Sequence, residues 1–106
     1  MYGPFQSEDR RRDGLMVLLL LSKHYGKNFV SFLDLALELG TNVPTLRNIA
    51  FNLRSQDLLD ITEDGHAHLN RNGAEAMKFA LSHPEREVLG FPAANTLSRT
   101  FAVGQI

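Results

Sequence analysis

The chain has 106 residues, is 43% hydrophobic and carries a formal net charge of -1, which excludes a disordered chain and predicts one domain with a modest core. It contains no cysteine, which excludes disulfides, thiol catalysis and thiolate metal sites and fits a reducing cytoplasm. Many small nucleic-acid-binding domains carry an excess of basic residues, and this near-neutral chain does not. Contact with a phosphate backbone would therefore need a local excess of positive charge.

The first predicted helix begins with a basic turn made of Arg10, Arg11 and Arg12. Ser7 or Asp9 can cap this helix, and the positive charge that follows opposes the helix dipole. Two interpretations stay open: the arginines contact phosphates, or nearby acidic side chains neutralise them. Those acids are Glu8, Asp9 and Asp13.

An apolar run, Leu15 to Leu21, forms the body of the same helix. It is far shorter than the roughly 20 residues that cross a bilayer. It is also too internal for a secretory signal and continues into a charged turn. The run predicts a buried helix, and we expect a cytoplasmic protein without membrane contact.

A helix-turn-helix pattern follows. Ser31 can cap its first helix, and Gly40 can end that helix in the left-handed conformation. Thr41 or Asn42 can cap the second helix, whose first turn holds Pro44. Helical spacing then predicts a buried stripe on this second helix, made of Leu46, Ile49, Ala50 and Leu53.

The remaining surface of the second helix is polar and has no acidic residue from Val43 to Gln56. In the major groove, arginine can donate two hydrogen bonds to guanine, asparagine can pair with adenine, and hydroxyls can reach phosphates. This face is a candidate DNA-reading surface, with an ordinary solvated helix as the alternative. Its candidate contact residues are Thr45, Arg47, Asn48, Asn52 and Arg54.

Phe51 does not fit the amphipathic pattern, because it lies about 140° round the helix from Leu46. It can contact a base, pack against a neighbouring chain, or belong to a helix that is buried on two sides. Exposed aromatic side chains are common anchors of protein interfaces. Phe51 therefore keeps a protein-binding role open for this helix.

A short hairpin is predicted after the second helix, because Asp64-Gly65 suits the positive backbone angles of a tight turn. Glu63 and Asp64 at this turn would be repelled by a phosphate backbone. His66 and His68 share a face of the returning strand, but two histidines are too few for a convincing metal site. We expect surface histidines and no bound metal.

We expect Phe29, just upstream of the helix-turn-helix, and Phe32, at its start, to have core roles. A fourth helix is predicted from Gly73 to Ser82. Its apolar band consists of Ala76, Met77, Ala80 and Leu81, with Phe79 beside it.

The last stretch, residues 84 to 106, is too apolar for a random tail. We expect it to pack on the domain or on a partner subunit, since its apolar side chains would be a liability in water. The chain is thus predicted to consist of a domain over residues 1 to 83 and a C-terminal extension over residues 84 to 106.

The order of helix, turn, helix, leucine pair and hairpin resembles the winged helix-turn-helix regulators of bacteria. Residues 31 to 59 look most like the iron-sulfur-cluster-regulator type. Leu69 to Gly73 is similar to the start of the dimerisation helix in multiple-antibiotic-resistance-type regulators. Phe29 and Val30 lie where winged-helix domains have a short strand, so the resemblance implies a strand there that pairs with the hairpin. The resemblance implies a homodimer, and because the cluster-binding cysteines are missing, no cofactor is expected.

We therefore expect an α+β, mostly helical, winged helix-turn-helix with a short β-hairpin wing. The expected function is sequence-specific binding of double-stranded DNA in transcription regulation. Arg47, Asn48 and Asn52 would meet base edges, Thr45 and Arg54 phosphates, and the basic turn of residues 10 to 12 the flanking backbone. The alternative is a winged-helix protein-interaction module using Phe51 and the C-terminal extension. No enzyme motif is present.

Overall fold

A computed structural model describes residues 8–97 as an α+β fold of four α-helices and a three-stranded antiparallel sheet. Helices make up most of the regular structure, which confirms the α+β, mostly helical part of the predicted fold class. The elements are α1 (Glu8–Ser22), β1 (Val30–Ser31), α2 (Phe32–Leu39), α3 (Val43–Ser55), β2 (Leu59–Ile61), β3 (His66–Leu69), α4 (Arg71–Ser82) and a 3₁₀ helix (Ala94–Leu97). Among these, no helix has the length and apolar character needed to span a membrane.

Helix α1 is the central element of the core. Leu15, Val17 and Leu18 are fully buried, and Leu21 is 1% exposed. The helix is enclosed because it packs against α2, α3, α4, β3 and the 3₁₀ helix. The predicted buried helix is confirmed, since a helix that is apolar on nearly every side needs partners on every side.

The sheet has the strand order β1-β3-β2, with β3 in the middle. Ala67 of β3 lies opposite both Val30 of β1 and Ile61 of β2, and Leu59 lies opposite Leu69. Ala67, Leu59 and Leu69 are buried. Because side chains alternate along a strand, the opposite face of β3 presents His66 and His68 away from this core.

The turn between β2 and β3 differs from the predicted one. Only Gly65 has a positive φ there, +82°, whereas Asp64 does not. The Thr62 amide donates to the His66 carbonyl at 2.9 Å, and the Gly65 amide donates to the Thr62 carbonyl at 3.2 Å. This is the three-residue hairpin loop that ends in a left-handed glycine, so the predicted hairpin is present, whereas the positive backbone angle expected at Asp64 is wrong.

Helix α4 begins two residues earlier than predicted. Asn70 caps it, because the Asn70 side-chain oxygen accepts a 2.9 Å hydrogen bond from the Gly73 amide. The Asn70 and Asn72 side-chain amides also donate to the carboxylate of Asp57, at 3.1 and 2.7 Å. Asp57 has a positive φ of 61°, so these two asparagines hold a turn that connects α3 to β2.

The apolar band predicted on α4 is buried only in part. Met77 and Ala80 are buried at 1% exposure, but Leu81 is 60% exposed and Phe79 is 40% exposed. The α4 face that packs on α1 is narrower than the sequence suggested, so Leu81 lies beyond its edge. The Phe79 ring stacks on His83 with centroids 4.4 Å apart.

The described part of the C-terminal stretch packs on the domain. Phe91 and Leu97 belong to the core cluster, each at 1% exposure. Val88 and Phe91 form a small bridge across Leu89 and Gly90, both of which have positive φ. Residues 98–106 of the predicted extension, and residues 1–7 of the predicted domain, lie outside the described residues.

Candidate nucleic-acid interface

The connection between α2 and α3 is fixed by capping at both sides. Gly40, with φ +76°, ends α2, while the Thr41 amide donates to the Ala36 carbonyl at 2.9 Å. Asn42 then caps α3, accepting a 2.8 Å hydrogen bond from the Thr45 amide, and Pro44 lies in the first turn. Of the two predicted caps, Asn42 is therefore the one used. Capping at these positions fixes the direction in which α3 leaves α2.

Helix α3 buries its predicted stripe and leaves a polar face open. Its stripe residues are at most 1% exposed, because α1, α2 and β2 pack against them. On the other side, Arg47 and Asn48 are exposed and Thr45 is half-buried. All three lie in the N-terminal half of the helix, close to the backbone amides of its first turn. The helix carries two arginines and no acid, so this face has a local positive charge that the whole chain lacks.

Asn52 does not share this open face. It is only 8% exposed, and its side-chain oxygen accepts a 2.6 Å hydrogen bond from the Gln56 side-chain amide. The position is covered although helical spacing placed it beside the polar residues. Asn52 thus fixes the end of α3 and is not accessible to a base edge in this arrangement.

Phe51 and Arg54 form one unit on α3. The Arg54 guanidinium lies over the Phe51 ring, 4.7 Å from its centroid, a cation-π geometry. Phe51 is half-buried and Arg54 is exposed. The contact holds the arginine in one place while its charge faces solvent, and it covers part of the aromatic ring that the sequence offered as an interface anchor.

The basic turn of α1 lies beside acidic groups. Helix α1 already includes Glu8 and Asp9, so Asp9 is inside the helix, and the other predicted cap, Ser7, lies outside the described residues. Arg10 pairs with Asp13 at 3.5 Å. Arg11 and Arg12 line a surface depression together with Glu85 and Glu87 of the C-terminal stretch. The structure thus pairs Arg10 with an acid and brings two acids that are far away in sequence into the same depression as Arg11 and Arg12.

The hairpin loop is acidic at its tip. The Thr62 hydroxyl donates to the Asp64 carboxylate, and the His66 ring lies 3.2 Å from the same oxygen. The Thr62 hydrogen bond, with a smaller contribution from His66, lowers the pKa of Asp64 below its ordinary value of 3.8. Asp64 therefore stays charged at neutral pH, and with exposed Glu63 it keeps this tip unfavourable for a phosphate backbone.

The two histidines of β3 have different surroundings. His66 contacts Asp64, whereas His68 accepts a 3.2 Å hydrogen bond from the Gly26 amide and stacks on Tyr25 and Phe29. Within residues 8–97, no group of three or more histidine, cysteine or acidic side chains is arranged to hold a metal ion.

Phe29 is 42% exposed, so its predicted core role is wrong, whereas Phe32 is buried at 4%. The cluster of Tyr25, Phe29 and His68 was not predicted as a site. Its signal in the sequence is the alternation of basic and aromatic residues from Lys23 to Phe29.

Comparisons with known proteins assign no family. No protein-family model matches the chain, and no curated protein or solved structure matches it. The function proposed for the chain therefore rests on its own residues and their arrangement.

Proposed function

We propose that the chain is a winged helix-turn-helix protein of the cytoplasm that binds double-stranded DNA sequence-specifically and regulates transcription. The observation that carries this proposal is the N-terminal half of α3, where exposed Arg47 and Asn48 lie on a helix that has no acidic residue. Helix-turn-helix proteins make base contacts from this part of their second helix. The helix is also held at a fixed angle by its caps, as insertion into a groove requires.

The order of elements supports the same proposal. A helix pair joined by a short turn is followed by a hairpin, and β1 pairs with the returning strand of that hairpin. This is the arrangement expected from the resemblance to winged helix-turn-helix regulators. The acidic tip of the hairpin argues that α3, and not the hairpin, supplies the main contacts.

The proposed roles follow from exposure and contacts. Arg47 and Asn48 read base edges, and Thr45 binds a phosphate near the start of α3. Arg54, supported by Phe51, binds a second phosphate. Asn52 is assigned no base contact because it is buried against Gln56. The α1 arginines are assigned to local pairing with acids, which their neighbours favour.

We propose that the protein acts as a homodimer through α4. Leu81 and Phe79 are exposed on this helix at 60% and 40%, and pairing with a second copy would cover them. Two copies would present two α3 helices, which doubles the local positive charge and matches a palindromic site. A dimer thereby compensates for the near-neutral charge of one chain.

The test is selection of retained DNA from a random-sequence duplex pool at about 50 mM and about 200 mM salt, followed by sequencing. We expect a palindrome whose retention falls steeply with salt. Arg47→Ala should weaken binding to it by about 1–3 kcal/mol, whereas Arg86→Ala, an equal change of charge on an exposed residue after α4, should leave it unchanged. Failure to retain any duplex at low salt would refute the proposal.

A protein-interaction module is the second candidate, and one observation favours it. Leu33 and Leu37 of α2 are 57% and 69% exposed, and Leu37 lines a groove with Leu20, Val30 and Leu35. An exposed apolar surface of this kind marks interfaces more often than DNA contacts. The module is favoured over the DNA reader if the selection retains nothing and Leu37→Ser changes the oligomeric state.

A further inference from the structure

The loop between α1 and β1 carries two exposed aromatic rings that are fixed by β3. Tyr25 is 44% exposed and Phe29 is 42% exposed. Both stack on the His68 ring, with centroid distances of 5.7 and 4.8 Å and interplanar angles of 25° and 23°. The Gly26 amide donates to His68 Nε2 at 3.2 Å. The rings are therefore held in place before any ligand arrives, although neither belongs to the core.

A shallow groove adjoins the Tyr25 ring. It is lined by Tyr25 and by four residues of α4, namely Arg71, Ala74, Glu75 and Lys78. The α4 residues lie on one side of the helix because they are spaced by three or four positions. Tyr25 and Ala74 supply apolar walls, while the long side chains of Arg71 and Lys78 bring cations to the rim.

The charge around this groove is positive. Arg71 and Lys78 are exposed, and the loop adds Lys23 and Lys27 on either side of Tyr25. Among the described residues that line the groove, the one acid is Glu75, whose carboxylate lies 3.9 Å from Arg71. Two cations and one carboxylate therefore line the groove, in a protein whose total charge is -1.

We propose that this groove binds a single-stranded nucleic acid by stacking one unpaired base on Tyr25. Stacking aromatics beside a positive groove are the two elements by which proteins hold single strands without reading their sequence. Arg71 and Lys78 bind the flanking phosphates, and His68 with Phe29 keeps the Tyr25 ring in position. A duplex cannot use this site, because its bases are stacked on one another. The site is separate from α3 and does not depend on the proposed duplex binding.

The test is fluorescence anisotropy with labelled oligothymidylate and oligouridylate of about ten nucleotides, at about 50 mM and about 200 mM salt. Tyr25→Ala should weaken binding about 5- to 150-fold, and Tyr25→Phe should retain it within about twofold, because the stacking face is preserved. Leu89→Asn removes an exposed apolar side chain that does not line the groove, and it should leave binding unchanged. Circular dichroism confirms that each variant is folded.

Charge variants change the salt dependence and the strength of binding. A purely structural role of Tyr25 would affect neither quantity in these variants. Lys78→Gln should reduce the slope of log affinity against log salt by about 0.7, the value for one phosphate contact on a single strand. Glu75→Gln should strengthen binding, because it removes a carboxylate from the groove. Arg86→Gln is the matched control for a lost cation and should change neither quantity.

Three outcomes would overturn the site. The wild-type protein could fail to bind either strand at the lower salt, Tyr25→Ala could bind as well as Leu89→Asn, or a duplex or a free mononucleotide could compete as well as the strand does. The failure of this proposal is distinguishable from failure of duplex recognition. Arg47→Ala should weaken binding of the duplex and spare the single strand, and Tyr25→Ala should do the reverse.

Discussion

Gly73 of α4 lies so close to the backbone of Leu58 that a Cβ at position 73 would be 2.0 Å from the Leu58 carbonyl oxygen and 2.8 Å from the Leu69 side chain. At an ordinary helix position, alanine is more stable than glycine by about 0.5–1 kcal/mol. Here the order is reversed, because the start of α4 packs directly on the backbone of the turn between α3 and β2. The glycine in the Leu69 to Gly73 motif is thus explained by close packing of two backbones.

Gly73→Ala should lower the free energy of unfolding by about 3 kcal/mol, because backbone has to move to admit the methyl group. Urea denaturation measures this change in the free energy of unfolding. Gly26→Ala is the control, since nothing lies within 4 Å of its Cβ and only its φ of +79° opposes the substitution; it should cost about 1 kcal/mol. Equal losses in the two variants would contradict the packing explanation.

Leu89→Asn should stabilise the protein. Leu89 has a φ of +54° and is 60% exposed. Its left-handed backbone conformation therefore destabilises the fold, and its side chain gains little stabilisation from burial. Asparagine tolerates this conformation, and we expect a gain of about 0.5–1 kcal/mol in the free energy of unfolding. Leu81→Asn, the same change at a leucine of equal exposure within α4, should give no gain. A loss of stability in Leu89→Asn would count against backbone strain.

Asn52→Ala and Arg47→Ala should separate folding from binding. Asn52 is buried and bonded to Gln56, so its loss should cost about 1–3 kcal/mol of stability. Arg47 is exposed, and its loss should stay within about 0.5 kcal/mol. Under the proposed function, duplex retention should show the opposite order, with Arg47→Ala losing more retention than Asn52→Ala. Retention is measured at a temperature at which both variants are folded. If Asn52→Ala abolished duplex retention while the variant was fully folded, Asn52 would have to contact DNA, which contradicts the structural role assigned to it.

The Asp64 carboxyl should respond to Thr62. The Thr62 hydrogen bond is the main cause of the lowered pKa of Asp64, so Thr62→Val should raise that pKa toward 3.8, and Thr62→Ser should not. A carboxyl whose pKa is lower in the folded state stabilises the fold above its unfolded pKa. That contribution is lost as the pH falls below 3.8 and through the folded pKa. Carbon-13 NMR of the carboxyl during an acid titration tests this directly.

His68→Ala should loosen the loop between α1 and β1. His68 Nε2 accepts the Gly26 amide, which requires an unprotonated nitrogen at that position. Losing this bond should speed hydrogen exchange of the Gly26 amide by about 2- to 10-fold. His66→Ala leaves the acceptor in place and should not change that rate. Equal protection of Gly26 in both variants would contradict a role of His68 in holding the loop.

The local features of α2 and α3 were predictable because they depend on residues close in sequence. Gly40 ends α2 and Pro44 lies in the first turn of α3, as their conformational limits require. The stripe from Leu46 to Leu53 is buried as its spacing predicts. Similarly, the apolar run of α1 had only one stable location, the centre of the core.

The sequence by itself therefore determined the α+β, mostly helical composition, most helix positions and the buried stripe of α3, since each follows from short-range sterics and periodic burial. Only the tertiary structure decided that Asn52 is buried, that Phe29 is exposed and stacks on His68, and that Glu85 and Glu87 line one surface depression with Arg11 and Arg12. The exposure of a side chain at the edge of an apolar face depends on which distant element covers it. Which element covers such a side chain is set by how the helices, the strands and the C-terminal stretch pack together, and no local sequence pattern predicts this packing.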